Sequence, residues 1–177
     1  MVYTKHYISP LGGILLSADE IGLTGLWFDG EKYYAENLPE EHTKADTPIL
    51  SEAVPWLDIN SDGREPHLTP PLHTIGSEFR QEVWRILLEI PYGATTTYGD
   101  IAKKIAEKNG LRKMSAQAVG GAVGHNEISI IIPCHRVVGT NGSLIGYAGG
   151  IDKKTRLLEI EHADMTKLFV PKKGTAL

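Results

Sequence analysis

Thr97-Tyr-Gly-Asp-Ile-Ala-Lys-Lys-Ile-Ala-Glu-Lys-Asn-Gly110, followed after a short basic stretch by Ser115-Ala-Gln-Ala-Val-Gly-Gly-Ala-Val-Gly124, decides the architecture of the C-terminal half. In the first run Ile101, Ala102, Ile105 and Ala106 fall at helical spacing, and Asn109-Gly110 ends the pattern. In the second, Ser115 is placed to cap a helix over Ala116–Val123. Two helices joined by a short connection containing glycine read as a helix-turn-helix. The second helix has almost no bulk, and glycine costs about 1 kcal/mol at each helix position. Its glycines therefore need an offset, either close helix–helix packing or close approach of a ligand. A helix with ordinary side chains is roughly 10–12 Å across, against a DNA minor groove about 6 Å wide. A face trimmed to Ala and Gly suits either reading.

Working outward, Ser77 precedes a helical pattern through Val83, Trp84, Ile86, Leu87, Leu88 and Ile90, stopped by Pro91-Tyr92-Gly93. Downstream, Ile128 to Ile132 reads as a buried strand or extended run closing on Pro133. Gly139 to Gly150 is a glycine-rich loop, and Asp152 to Ala163 a final amphipathic helix. The N-terminal half differs in kind. Tyr3 to Phe28 holds three short strand patterns separated by Ser9-Pro10-Leu11-Gly12-Gly13 and Asp19-Glu20-Ile21-Gly22, a meander. Residues 29–47 are polar and acidic and suit a loop. Ile49 to Leu57 fits a short helix with Thr47 as cap and Pro48 at its first position, and Asn60 to Thr74, with Pro66, Pro70 and Pro71, reads as a linker. The expected class is α+β: an N-terminal antiparallel β-sheet domain with its linker (1–75), and a helical C-terminal domain (76–177) with a winged-helix-like helix-turn-helix.

Composition bounds the function. At 177 residues, 41% hydrophobic and 23% charged, the chain is ordinary for a globular protein. A single cysteine excludes an internal disulfide and a zinc cage built on cysteine pairs. No apolar run approaches the ~18 residues of a membrane span and no signal-peptide pattern opens the chain, so a cytoplasmic protein without membrane partners is expected. The net charge of −4 hides an asymmetry: residues 1–76 carry four basic against twelve acidic residues (−8), and residues 77–177 fourteen against ten (+4). The C-terminal half is the one able to approach a polyanion.

Cys134 follows Pro133 and precedes His135 and Arg136. A lone cysteine in an apolar context is commonly an inert core residue. Here Pro133 favours a helical turn whose backbone N–H groups would stabilise a thiolate, and two cationic or donor side chains adjoin it. Neighbours in an extended chain face opposite ways, so a Cys-His dyad needs a turn or a bridging water. A histidine acting as base also needs a third group to orient it, for which the final helix offers Glu159 and Glu161.

Ile132-Pro133-Cys134-His135-Arg136-Val137-Val138, preceded by Ala118-Val119-Gly120-Gly121-Ala122 and Asn126, resembles the O6-alkylguanine-DNA alkyltransferase family. The likeness extends to Phe79-Arg80-Gln81-Glu82-Val83-Trp84, Ile90-Pro91-Tyr92-Gly93, Tyr98-Gly99-Asp100-Ile101-Ala102 and the N-terminal Ser9-Pro10-Leu11-Gly12. The resemblance implies suicide repair: an alkyl (methyl) group passes irreversibly from O6 of guanine, and from O4 of thymine, onto the protein's own cysteine after base flipping. On it Cys134 is the acceptor, His135 the base acting through water, Glu161 the carboxylate orienting that histidine, and Asn126 the brace of the active-site turn. Tyr98 donates to the guanine ring, and the carbonyls of Cys134 and Val137 read the exocyclic amine. Tyr147 walls the alkyl pocket and the Ala148 N–H meets O6. Ser115, Ala116, Gln117, Gly120 and Thr140 contact DNA in the minor groove. The implied partner is double-stranded DNA carrying the lesion, bound by a monomer without metal or other cofactor.

Two departures accompany the resemblance. Gln117 stands where well-known members place an arginine that fills the hole left by the flipped base, and the zinc-binding cysteines of some members are absent. Three other classes compete. A non-enzymatic lesion sensor would lack Cys134, a Cys-His hydrolase would need an oxyanion hole, and a helix-turn-helix regulator would tolerate loss of the cysteine.

Overall fold

The computed structural model describes residues 1–172; residues 173–177 of the expected C-terminal unit lie outside the described residues. Strands β1 (Tyr3–Ser9), β2 (Gly12–Ala18) and β3 (Leu23–Phe28) form the expected antiparallel meander. Ile14, Leu16, Leu26 and Phe28 of β2 and β3 are fully buried, whereas Ile8 of β1 is exposed. A short β4 (Thr43–Lys44), inside the stretch expected to be only loop, adds parallel to β1 and makes the sheet order β3-β2-β1-β4. Two residues of polar strand leave no hydrophobic period to detect.

Helix α1 (Pro48–Ser61) packs against β1 and β2. Then follow α2 (Glu78–Leu88), β5 (Thr96–Thr97), α3 (Tyr98–Lys108), α4 (Ala116–Gly124), a single turn of 3-10 helix at Cys134–Arg136, β6 (Val137–Val138) and α5 (Ile151–Ile160). Thr47, Ser77, Thr97 and Ser115 cap α1 to α4, each side-chain oxygen accepting the backbone N–H three residues on. Each such cap stabilises its helix by about 1 kcal/mol. The helix-turn-helix of α3 and α4 also packs against α2, and Trp84 Nε1 donates to the Ala122 carbonyl at 2.9 Å. One continuous core takes side chains from β2 and β3 as well as from α2 to α5.

Ile128 to Ile132 corrects the expectation of a strand. Only Ile128 bridges Leu26 of β3. The chain then turns back on itself, with Ile132 N–H donating to the Ile128 carbonyl at 3.0 Å and Ile130 in the left-handed region at φ 71°. All five residues are buried. An unbroken apolar run reports burial, not extension. This turn and the parallel pairing of β5 with β6 bring the residues after Pro133 against the start of α3.

Candidate active site

Cys134 opens the 3-10 turn and is 4% exposed. Asn126 hydrogen-bonds to the chain leading into the turn: Nδ2 donates to the Ile132 carbonyl at 2.8 Å, and Oδ1 accepts the Ile128 N–H at 3.0 Å. The resting form is the thiol. Burial pushes the thiol up to about 11, although a hydrogen bond from Asn126 and the charge of Lys154 act in the opposite direction. The backbone N–H of Cys134 already donates to the Ile132 carbonyl at 2.8 Å, so the turn does not present it as an anion site.

His135 is fully buried, and its Nε2 lies 2.9 Å from Glu161 Oε1. The contact is close enough for an ion pair but not aligned as a linear hydrogen bond, and Nδ1 meets no protein partner. Burial lowers the imidazole's pKa against the pull of Glu161 and keeps the ring neutral. Of the two candidate carboxylates Glu161 faces inward and Glu159 outward. Glu161 also takes a fork from Arg136, Nε to Oε1 at 2.8 Å and Nη2 to Oε2 at 3.0 Å, and Asn60 Nδ2 donates to Oε2 at 3.1 Å. Burial opposes its ionisation, but His135 and Arg136 outweigh it and hold the carboxyl at about 2. The guanidinium is permanently charged, and His135 adds its charge when it takes up a proton. Arg136 therefore serves the carboxylate and the Ile90 carbonyl (2.7 Å).

A cleft of about 570 Å³ runs along α4. Ala116, Gln117, Gly120, Thr140, Tyr98, Tyr147 and Ala148, all expected in the site, line it; Cys134, His135 and Glu161 do not. Ser115 serves α4 as cap. The glycines settle one alternative left open above. A Cβ at Gly121 or Gly124 would meet nothing within 4 Å, and one at Gly120 only the Tyr98 ring at 3.8 Å. Packing within the chain does not require them.

The Tyr98 hydroxyl donates to the Ile145 carbonyl at 3.1 Å, and burial raises its pKa well above the ordinary value. Gly146, at φ 69°, admits this approach: a Cβ there would lie 3.0 Å from the hydroxyl. Both carbonyls expected to read the base already have one donor, the Cys134 oxygen from Val137 N–H and the Val137 oxygen from Lys154 Nζ at 2.5 Å. A second lone pair remains on each. Lys154 is the residue that sequence reasoning missed. It is fully buried, its Nζ also donates to Ile145 O at 2.7 Å, and burial lowers its pKa to about 8. Its signal was present, since Lys154, Leu157, Leu158 and Glu161 share the i, i+3, i+4, i+7 face of α5.

Residues 78–163 match the family model of the 6-O-methylguanine DNA methyltransferase DNA-binding domain, and residues 1–60 that of its ribonuclease-like domain. The methylated-DNA–protein-cysteine methyltransferase of Mycobacterium leprae is 39% identical over 95% of this chain and 98% of its own. The chain belongs to this methyltransferase family. The Methanosarcina acetivorans methyltransferase is 41% identical over 90% of this chain and 98% of its own. Among solved structures, Mycobacterium tuberculosis OGT in complex with DNA matches with a TM-score of 0.79 at 38% identity, covering 90% of this chain and 92% of that one. Direct repair by alkyl transfer to cysteine is the activity of the family, and this methyltransferase has one cysteine to offer, Cys134.

Proposed function

We propose that the protein repairs O6-alkylguanine, and by the same chemistry O4-alkylthymine, in double-stranded DNA by single-turnover transfer to Cys134. The observation that carries this reading is the buried Cys134-His135-Glu161 series beside a cleft floored by the glycine face of α4. In it the thiol proton leaves Sγ for His135 Nδ1 through a water, and Glu161 stabilises the imidazolium that forms. With the thiol at about 11, ionising it alone at pH 7 costs about 5 kcal/mol, so proton removal accompanies attack. Sulfur bonds to the alkyl carbon and the carbon–O6 bond breaks. Its electron pair goes to the guanine, whose developing negative charge the Tyr98 hydroxyl stabilises by a hydrogen bond once that group exchanges the Ile145 carbonyl for the ring. The proton held on His135 returns through water to neutralise the released guanine. A thioether resists hydrolysis by these groups, so one protein repairs one lesion.

The reading places α4 in the minor groove, where its open glycine face admits the sugar–phosphate walls, with Gln117 filling the vacated stack. It divides the chain into a β unit (1–75) and a DNA-binding unit from residue 76, and has a monomer acting in the cytoplasm. Among the described residues no helix is long and apolar enough to cross a membrane. Intact-protein mass spectrometry after mixing with an O6-methylguanine duplex tests it. One added methyl on the Cys134 peptide supports the reading, and repeated turnover or an unmodified protein overturns it.

A further inference from the structure

The turn after β3 is where the N-terminal half touches the cleft. Glu31 is buried there; its Oε1 accepts the Phe28 N–H at 2.6 Å, and its own N–H returns to the Phe28 carbonyl at 3.1 Å. This reciprocal pair closes the turn across Asp29 and Gly30, the latter at φ 76°. Two contacts with the cleft depend on it. The Phe28 ring meets Tyr147 edge-on at 6.5 Å, and the Lys32 N–H donates to the Ala148 carbonyl at 3.1 Å. The fit is tight: a Cβ on Gly149 would lie 2.9 Å from Phe28 Cδ2 and 2.8 Å from Tyr147 Cε2.

We propose that Glu31 is a positioning residue for alkyl transfer: its side chain locks the turn that holds Tyr147 and Ala148, so the N-terminal half sets the wall of the alkyl pocket. This rests on the reading of Cys134 as acceptor and Tyr147 as pocket wall. At neutral pH the buried side chain is the uncharged acid. Burial pushes the carboxyl up to about 8, despite the Phe28 N–H. The charged groups that face it are Glu127, before the active-site turn, which raises it further, and Lys153 of α5, which lowers it. A negative Glu31 in turn makes ionisation of Cys134 and Tyr147 harder. Above about pH 8 the turn therefore holds a buried charge, and the thiol gains a repulsive neighbour.

The test follows transfer from free O6-benzylguanine, which needs no base flipping, by mass spectrometry of the Cys134 peptide. Full-length wild type, E31A and E31Q are compared between about pH 6.5 and 9.5. E31A slows transfer roughly tenfold at neutral pH through a displaced wall. Glutamine, uncharged and with the same acceptor oxygen, restores the rate to within about twofold and pulls ahead of wild type above about pH 8. A wall that served folding alone would move no pH profile. Folded E31A reacting as fast as wild type, or E31Q tracking wild type throughout, overturns the proposal; if E31A does not fold, the E31Q profile decides. A wild type that gains no S-benzyl adduct overturns the acceptor reading and this inference together. Equal rates in all three proteins overturn the role of Glu31 alone.

Discussion

Glu161→Gln separates the structural from the chemical work of the buried carboxylate. Its pKa falls from 4.5 to about 2 in the folded protein. A depressed carboxylate contributes stability that is fully present above its unfolded value and lost as pH falls through the folded one. About 2.5 units at 1.36 kcal/mol each come to roughly 3 kcal/mol at neutral pH. That agrees with the ~3–5 kcal/mol lost when one partner of a buried pair is removed, here leaving Arg136 uncompensated. Urea denaturation of wild type and E161Q therefore differs by about 3 kcal/mol at pH 7, and by about half of that at pH 3, where the unfolded carboxyl is already protonated and the native one mostly is not. The same variant slows transfer to Cys134, because the imidazolium that forms as the thiol proton leaves loses its counter-charge. A stability gap below ~1 kcal/mol, or one unchanged between the two pH values, refutes the buried pairing with His135 and Arg136 as the source of the shift. An unchanged transfer rate refutes the coupling of Glu161 to Cys134.

Cys134→Ser abolishes transfer and leaves duplex binding intact, as read by mass spectrometry and fluorescence anisotropy. Gly124→Leu weakens duplex binding at least about tenfold if α4 enters a groove, while its melting temperature holds or rises because leucine is the better helix former; unchanged affinity rules out that face. Binding to duplex falls as salt rises and depends little on flanking sequence, since phosphate contacts dominate; marked sequence selectivity at constant salt favours the regulator reading.

The elements most legible in the sequence were those whose signals are local. Thr47, Ser77, Thr97 and Ser115 each announce a helix by a hydroxyl three residues ahead of an unpaired N–H, and each does cap one. What escaped depended on distant partners. Ile128 to Ile132 looks like a strand because four of its five residues are isoleucine, yet its conformation is set by Asn126 and by a left-handed Ile130. Arg136 reads as a cation for its neighbour Cys134, but its partner is Glu161, brought near by α5. The thiol itself was read from adjacency, which counts nearby donors and ignores desolvation; burial is the larger effect here. Lys154 alone was legible and overlooked, a charge in register with Leu157, Leu158 and Glu161 on the inward face of α5.

Gln117 is the departure whose consequence the structure sharpens. It is exposed at the second position of α4 and lines the same cleft as Tyr98 and Tyr147. Beyond Ser115, the rest of that helix presents Ala and Gly to the cleft, leaving no other long side chain on it to occupy a vacated stack. The helix N-terminus already favours phosphate, so the missing guanidinium removes stacking and charge at a point where some attraction persists. Gln117→Ala should slow repair of an O6-methylguanine duplex while barely altering reaction with free O6-benzylguanine, where nothing is flipped. Gln117→Arg should match or exceed wild type on duplex, because the cleft mouth at the start of α4 is open. Transfer rates of both variants on the two substrates decide the matter. Equal losses on duplex and free base would place Gln117 in the support of the pocket and remove it from the stack.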